Sequence, residues 1–177
     1  MSRWPLPALA ALAAAALAAA CAAPQRVPAE LAPAPGESLV RVVPAYGVQI
    51  YECRAGADAR LEWAFVAPHA DLFDDQGRKL GTHGAGPFWQ ANDGSRVVGS
   101  VAARAAAPTP GAIPWLLLKT RPSGAPGEFS RVSSIQRINT VGGVAPSTPC
   151  THTGATAQVP YRADYRFFSS TPNERTS

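Results

Sequence analysis

The sequence predicts an all-β, single-domain fold: an antiparallel β-sandwich or partly closed barrel of short strands and hairpins. Three observations carry that prediction. Gly 15 and Pro 18 together make 33 of 177 residues, a density of backbone punctuation that argues against long helices and against a large parallel-sheet enzyme. Apolar residues make up 46%, enough for a core, and the punctuation falls between apolar runs rather than in the tracts typical of disorder. After Leu39 those runs alternate at period two, and none carries a long 3.6-residue stripe.

Taken in order, Gly47 to Cys53 puts Val48, Ile50 and Glu52 on one face and Gln49, Tyr51 and Cys53 on the other. Leu61, Trp63 and Phe65 form a bulky stripe on the next strand, and Trp63 and Trp115 read as core. Leu72-Phe73 and Arg78-Lys79-Leu80 flank Asp74-Asp75-Gln76-Gly77, a hairpin turn whose Gly suits the left-handed region. A second hairpin turns at Asn92-Asp93-Gly94, between Phe88–Ala91 and Ser95–Val101, with Ser95 expected in solvent. Trp115-Leu116-Leu117-Leu118 reads as a central strand buried on both sides. From Phe129 to Thr140, Val132, Ser134, Gln136 and Ile138 alternate against Ser133, Ile135 and Arg137. A closing strand runs over Ala157–Phe167, where Pro160 favours an edge or a bulge. Short strands at this spacing suit a sandwich or a barrel.

The chain begins with an address. Arg3 is followed by a Leu/Ala run ending at Ala20, with small residues ahead of Cys21. A basic start, a short apolar stretch and small residues make a signal peptide over 1–20, and the apolar stretch is too short to span a bilayer. Leu17-Ala18-Ala19-Ala20-Cys21 resembles a bacterial lipobox, so lipidation of Cys21 is expected, with Leu one place earlier than usual. The alternative is a plain cut after Ala20-Cys21-Ala22. Either route places the domain outside the cytoplasm: in the outer membrane or periplasm by a lipid anchor, otherwise secreted. Residues 21–38 are a Pro/Ala-rich tether or loose arm, the β domain runs over 39–170, and 171–177 form a flexible tail.

The formal charge is +4. Without Arg3 it falls to +3, 15 basic against 12 acidic residues, and the Arg residues are scattered, so no nucleic-acid partner is expected. Cys53 and Cys150 are expected to form a disulfide in an oxidising compartment. The chain-entropy model gives so long a loop about 4–5 kcal/mol.

The candidate site is Gly81-Thr82-His83-Gly84-Ala85-Gly86-Pro87-Phe88-Trp89. Glycine lets a ligand approach the backbone, a neutral imidazole both donates and accepts, and Trp89 offers a stacking surface. His83, Gly84, Gly86 and Trp89 are therefore the ligand-binding candidates. The competing reading is a tight loop whose His caps a backbone group and whose Trp fills the core. The glycine spacing is neither a dinucleotide fingerprint nor a phosphate loop. His69, His83 and His152 lack partners at ligand spacing, so neither metal nor cofactor is expected. No nucleophile elbow is present, and nothing singles out an acid–base pair among Glu52, Glu62, Asp71 and Asp74.

Several motifs together resemble a known family. They are Gly47–Cys53, Trp63–Pro68 with Ala70–Phe73, Gly81–Pro87 with Trp89, Gly111–Leu118 and Arg137–Gly143. The resemblance is to the family catalogued as domain of unknown function 3455, secreted proteins of bacteria and fungi, and covers roughly residues 28–169. It implies an extracytoplasmic domain and no established activity. A malate dehydrogenase label carried by some fungal members finds no support in these residues, which lack the fingerprint and the βαβ pattern. The expected function is a binding or interaction module for a small ligand, a glycan or an envelope partner. A secreted hydrolase or lyase using His83 with a carboxylate is the alternative.

Overall fold

The computed structural model describes residues 26–170. The signal peptide, Cys21 and the tail 171–177 lie outside the described residues. Eight strands follow one another: β1 (Glu37–Ala55), β2 (Leu61–Phe73), β3 (Lys79–Gly84), β4 (Phe88–Ala91), β5 (Arg96–Ala105), β6 (Trp115–Pro122), β7 (Ser134–Gly142) and β8 (Thr156–Ser170). Each pairs antiparallel with the next, and β8 pairs with β1, so one sheet closes into a barrel. The sandwich alternative is thereby excluded. Closure rests on β1, which pairs with β8 from Glu37 to Glu52 and with β2 from Ala45 to Ala55. Register shifts leave Val40 as an extra residue in β1 and Val66 as one in β2, bulges that bend these strands around the barrel. Pairing is one-sided at the ends of the long strands, over residues 37–44 of β1 and 61–69 of β2.

The expectation of short strands holds for β3 and β4 but fails for β1, β2 and β8, which have 19, 13 and 15 residues. Their internal prolines explain the difference. Pro44 lies just before the β2 ladder starts at Ala45, and Pro68 just beyond the β3 ladder, which ends at Ala70. Pro160 lies just beyond the β7 ladder, which ends at Tyr161. Each has a partner strand on one side only, the position a residue without an N–H tolerates.

Both hairpins form where expected. Asp74 N–H donates to Arg78 O at 2.9 Å, and Gly77 takes φ 74°. Ala91 N–H donates to Ser95 O at 2.9 Å, with Gly94 at φ 84°. Ser95 is not solvated but completely buried. Its Oγ donates to Asp93 Oδ1 at 2.6 Å and accepts from Phe129 N–H at 2.9 Å, while Asp93 Oδ2 accepts from Glu128 N–H. The turn thus anchors the β6–β7 loop. These hydrogen bonds hold the Asp93 carboxyl below its ordinary pKa.

In this meander the β2–β3, β4–β5 and β6–β7 connections share one end of the barrel, and the β1–β2, β3–β4, β5–β6 and β7–β8 connections the other. The first end is filled. Val43, Leu72, Val97, Ile135 and Phe129 are buried there, with Phe129 edge-on to Phe167 at 4.8 Å. A second cluster lies outside the sheet, where Leu31, Trp115, Leu117 and Ile138 pack together. Leu31 belongs to a short 3₁₀ turn, Ala29–Leu31, whose Leu31 carbonyl accepts from Gln136 Nε2 at 2.5 Å. The segment before β1 is therefore an arm laid over β5 and β6, and it reaches β7 through Gln136 and Ile138. That cover is why Trp115 to Leu118 are buried on both faces.

The bulky stripe of β2 is not core. Phe65 is 53% exposed and Trp63 half-buried, with Trp63 Nε1 donating to Thr148 O at 3.0 Å. Beyond the register shift at Ile50/Tyr51 the β1–β2 hairpin carries the stripe out to the rim, where no opposing strand covers it.

Candidate functional site

The second end of the barrel is hollow. A cavity of about 370 Å³ is lined by Gln49 and Tyr51 of β1, His83 and Trp89 of the β3–β4 hairpin, Arg137 of β7 and Tyr165 of β8. Leu116, Leu118, Ile113 and Pro114 add an apolar wall, and Phe65, Val66 and Val101 form a partly exposed rim. The disulfide forms as expected, with Cys53 and Cys150 97 residues apart in sequence and their Cα atoms 5.8 Å apart. It ties the end of β1 to the β7–β8 loop beside this opening.

His83 sits on strand β3, opposite Trp89 of β4, not in a surface loop. The two rings stack at 4.4 Å and 17°, and Tyr165 meets both edge-on, at 5.1 and 5.4 Å. The hairpin is tight because its glycines leave room: a Cβ on Gly81 would run into the Gln90 carbonyl, and one on Gly84 would meet the Phe88 ring at 2.6 Å. Gly86, at φ 109°, makes the turn. Of the four candidates, His83, Gly86 and Trp89 line the cavity, and Gly84 packs against Phe88 instead. His83 and Trp89 are 3% and 1% exposed, so they are wall rather than a presented surface.

Burial drives the His83 pKa down to about 3; the Phe88 carbonyl opposes this and the Arg137 charge adds to it. The ring is neutral at ordinary pH. His83 Nδ1 lies 2.7 Å from Phe88 O; because a carbonyl only accepts, Nδ1 carries the proton and Nε2 is left as an acceptor. Burial likewise raises the Tyr161 and Tyr165 pKa values, so both hydroxyls, 3.3 Å apart, stay protonated.

The exposed Arg104 of β5 borders the cavity, and the half-buried Arg137 is the charged residue deeper in its wall. It shares the inward face of β7 with Ile135. Its Nε and Nη2 donate to Pro114 O at 3.2 and 2.8 Å. Among the described residues no carboxylate forms an ion pair with it. Two further wall donors, Gln49 Nε2 and Trp89 Nε1, are buried without an acceptor. Gln49 lies near enough to the Tyr161 hydroxyl to lower its pKa, yet Nε2 makes no hydrogen bond of normal geometry.

The acidic candidates do not join this group. Glu52, Asp71 and Asp74 pair with Arg54, Lys79 and Arg78 in exposed ion pairs. His83 has no carboxylate within hydrogen-bond reach among the described residues, which leaves an acid–base couple without a geometric basis. His69 and His152 are exposed, and the described residues hold no cluster of metal ligands. Sequence reasoning overlooked Arg137 and Gln49. The available signal was a polar residue on a face that is otherwise apolar: Arg137 alternates with Ile135, and Gln49 with Tyr51 and Cys53.

Fold and site define a class: an eight-stranded antiparallel barrel with an accessible interior cavity. The chain belongs to the family described as protein of unknown function (DUF3455), whose model matches residues 33–169. No curated protein and no solved structure matches it.

Proposed function

We propose that this domain is a binding module that holds one small organic molecule inside the open end of its barrel. The observation that carries the reading is the cavity itself, apolar over most of its wall with a few buried polar groups converging on it. Eight-stranded barrels have room for one small ligand, and ligand sites share this mix of apolar wall and sparse polar groups. At about 370 Å³ the space suits a compact molecule rather than a glycan chain. The neutral uncharged probe N-phenyl-1-naphthylamine tests the idea. One saturable site per chain is expected, weakened at least tenfold by Val101→Trp, a rim position exposed enough to accept the larger ring. Absence of saturable binding, or indifference to Val101→Trp, overturns the reading.

The disulfide is consistent with an extracytoplasmic domain. The proposal extends to export by residues 1–20 and lipid anchoring through Cys21, supported by the order of residues around Leu17–Cys21. Full-length protein expressed in a bacterium should fractionate with membranes and Cys21→Ala should be soluble. Equal distribution of the two rules the anchor out.

A further inference from the structure

Resting on the cavity reading, we infer that the ligand is an organic carboxylate, an apolar one- or two-ring body whose acid group meets Arg137. A guanidinium cannot shed its proton, and holding its charge inside a barrel without a counter-ion is costly. Arg137 spends two N–H groups on the Pro114 carbonyl, which is neutral, and pairs with no carboxylate among the described residues. The missing negative charge is supplied most simply from outside.

Two buried donors of the wall point the same way. Gln49 Nε2 and Trp89 Nε1 are donors, 2% and 1% exposed by residue. A group that only accepts suits three donors, whereas an amine or ammonium would add donors beside a cation. A carboxylate also matches the planar fork of arginine in charge and shape. The ring cluster of His83, Trp89 and Tyr165, with Leu116 and Leu118 beside it, offers an apolar body flat faces and aliphatic contacts.

The test compares each acid with its own amide, which keeps the body and removes the charge: indole-3-acetate against indole-3-acetamide, and 2-naphthoate against 2-naphthamide. Competition against N-phenyl-1-naphthylamine on the purified protein reads both. Each acid is expected to compete at concentrations at least tenfold lower than its amide. That preference should vanish in Arg137→Gln, whose fold is checked by far-ultraviolet circular dichroism and its urea midpoint, and return in part in Arg137→Lys. Equal competition by acid and amide overturns the carboxylate inference and leaves the cavity reading standing. A preference that survives Arg137→Gln overturns the role of Arg137. Failure of the probe to bind at all removes the cavity reading and this inference together. Should Arg137→Gln fail to fold, the wild-type comparison decides alone.

Discussion

Phe129 and Trp89 are both aromatic side chains buried inside the same barrel, at 1% exposure each, yet they belong to regions built for different ends. Around Phe129, apolar side chains fill the interior, and the buried hydroxyl of Ser95 is satisfied. Around Trp89 the same strands supply Gln49, His83, Arg137 and Tyr165 beside empty space. On β7 the change takes a single inward step, from Ile135 to Arg137. A closed sheet allows this because its strands are held by ladder hydrogen bonds to their neighbours around the ring. Packing at one end can then carry stability while the other end stays hollow.

The largest effect that would break this contrast is Phe129→Ala. Removing a ring from a filled interior costs about 3–5 kcal/mol, measured as a shift of the urea midpoint at constant slope. Probe affinity of the folded protein should be unchanged. A cost below about 1 kcal/mol, or lost probe binding with the fold intact, would show that the two ends are not separable in this way.

A smaller effect sharpens it from the open end. His83 has a folded pKa of about 3, against an ordinary value of 6.5. Between those values the unfolded chain binds a proton that the folded chain does not, so stability falls as pH drops from about 6.5 toward 3. The limiting slope is about 1.4 kcal/mol per pH unit. Urea midpoints at pH 7, 5 and 4 should decline less in His83→Gln, whose amide can still donate to Phe88 O. An unchanged decline would mean that other groups set the acid sensitivity and that burial of this imidazole carries no such penalty.

Much of the fold was legible in the residues. Asp74 to Gly77 and Asn92 to Gly94 make the turns their chemistry demands, and Cys53 pairs with Cys150. The candidate site was half legible. The His83 to Trp89 segment does face the cavity, but as a strand pair and not as a displayed loop. Ser95 was misjudged because its partners, Asp93 aside, come from a loop about 30 residues further along the chain, which no local pattern reports.

Local sequence therefore determined the all-β class, the hairpins and which residues share a strand face, because turn chemistry and period-two alternation act over a few neighbouring residues; the disulfide followed from the two cysteines that remain after Cys21. Only the tertiary structure decided that β8 returns to β1, and that the stripe of Leu61, Trp63 and Phe65 stands at a rim. It also brought Arg137 into a hollow shared with Gln49, Trp89 and Tyr165. The physical reason is that alternation assigns a side chain to a face of the sheet. Where along the barrel that face is filled, open or uncovered depends on strands far apart in the chain, such as β1 and β7.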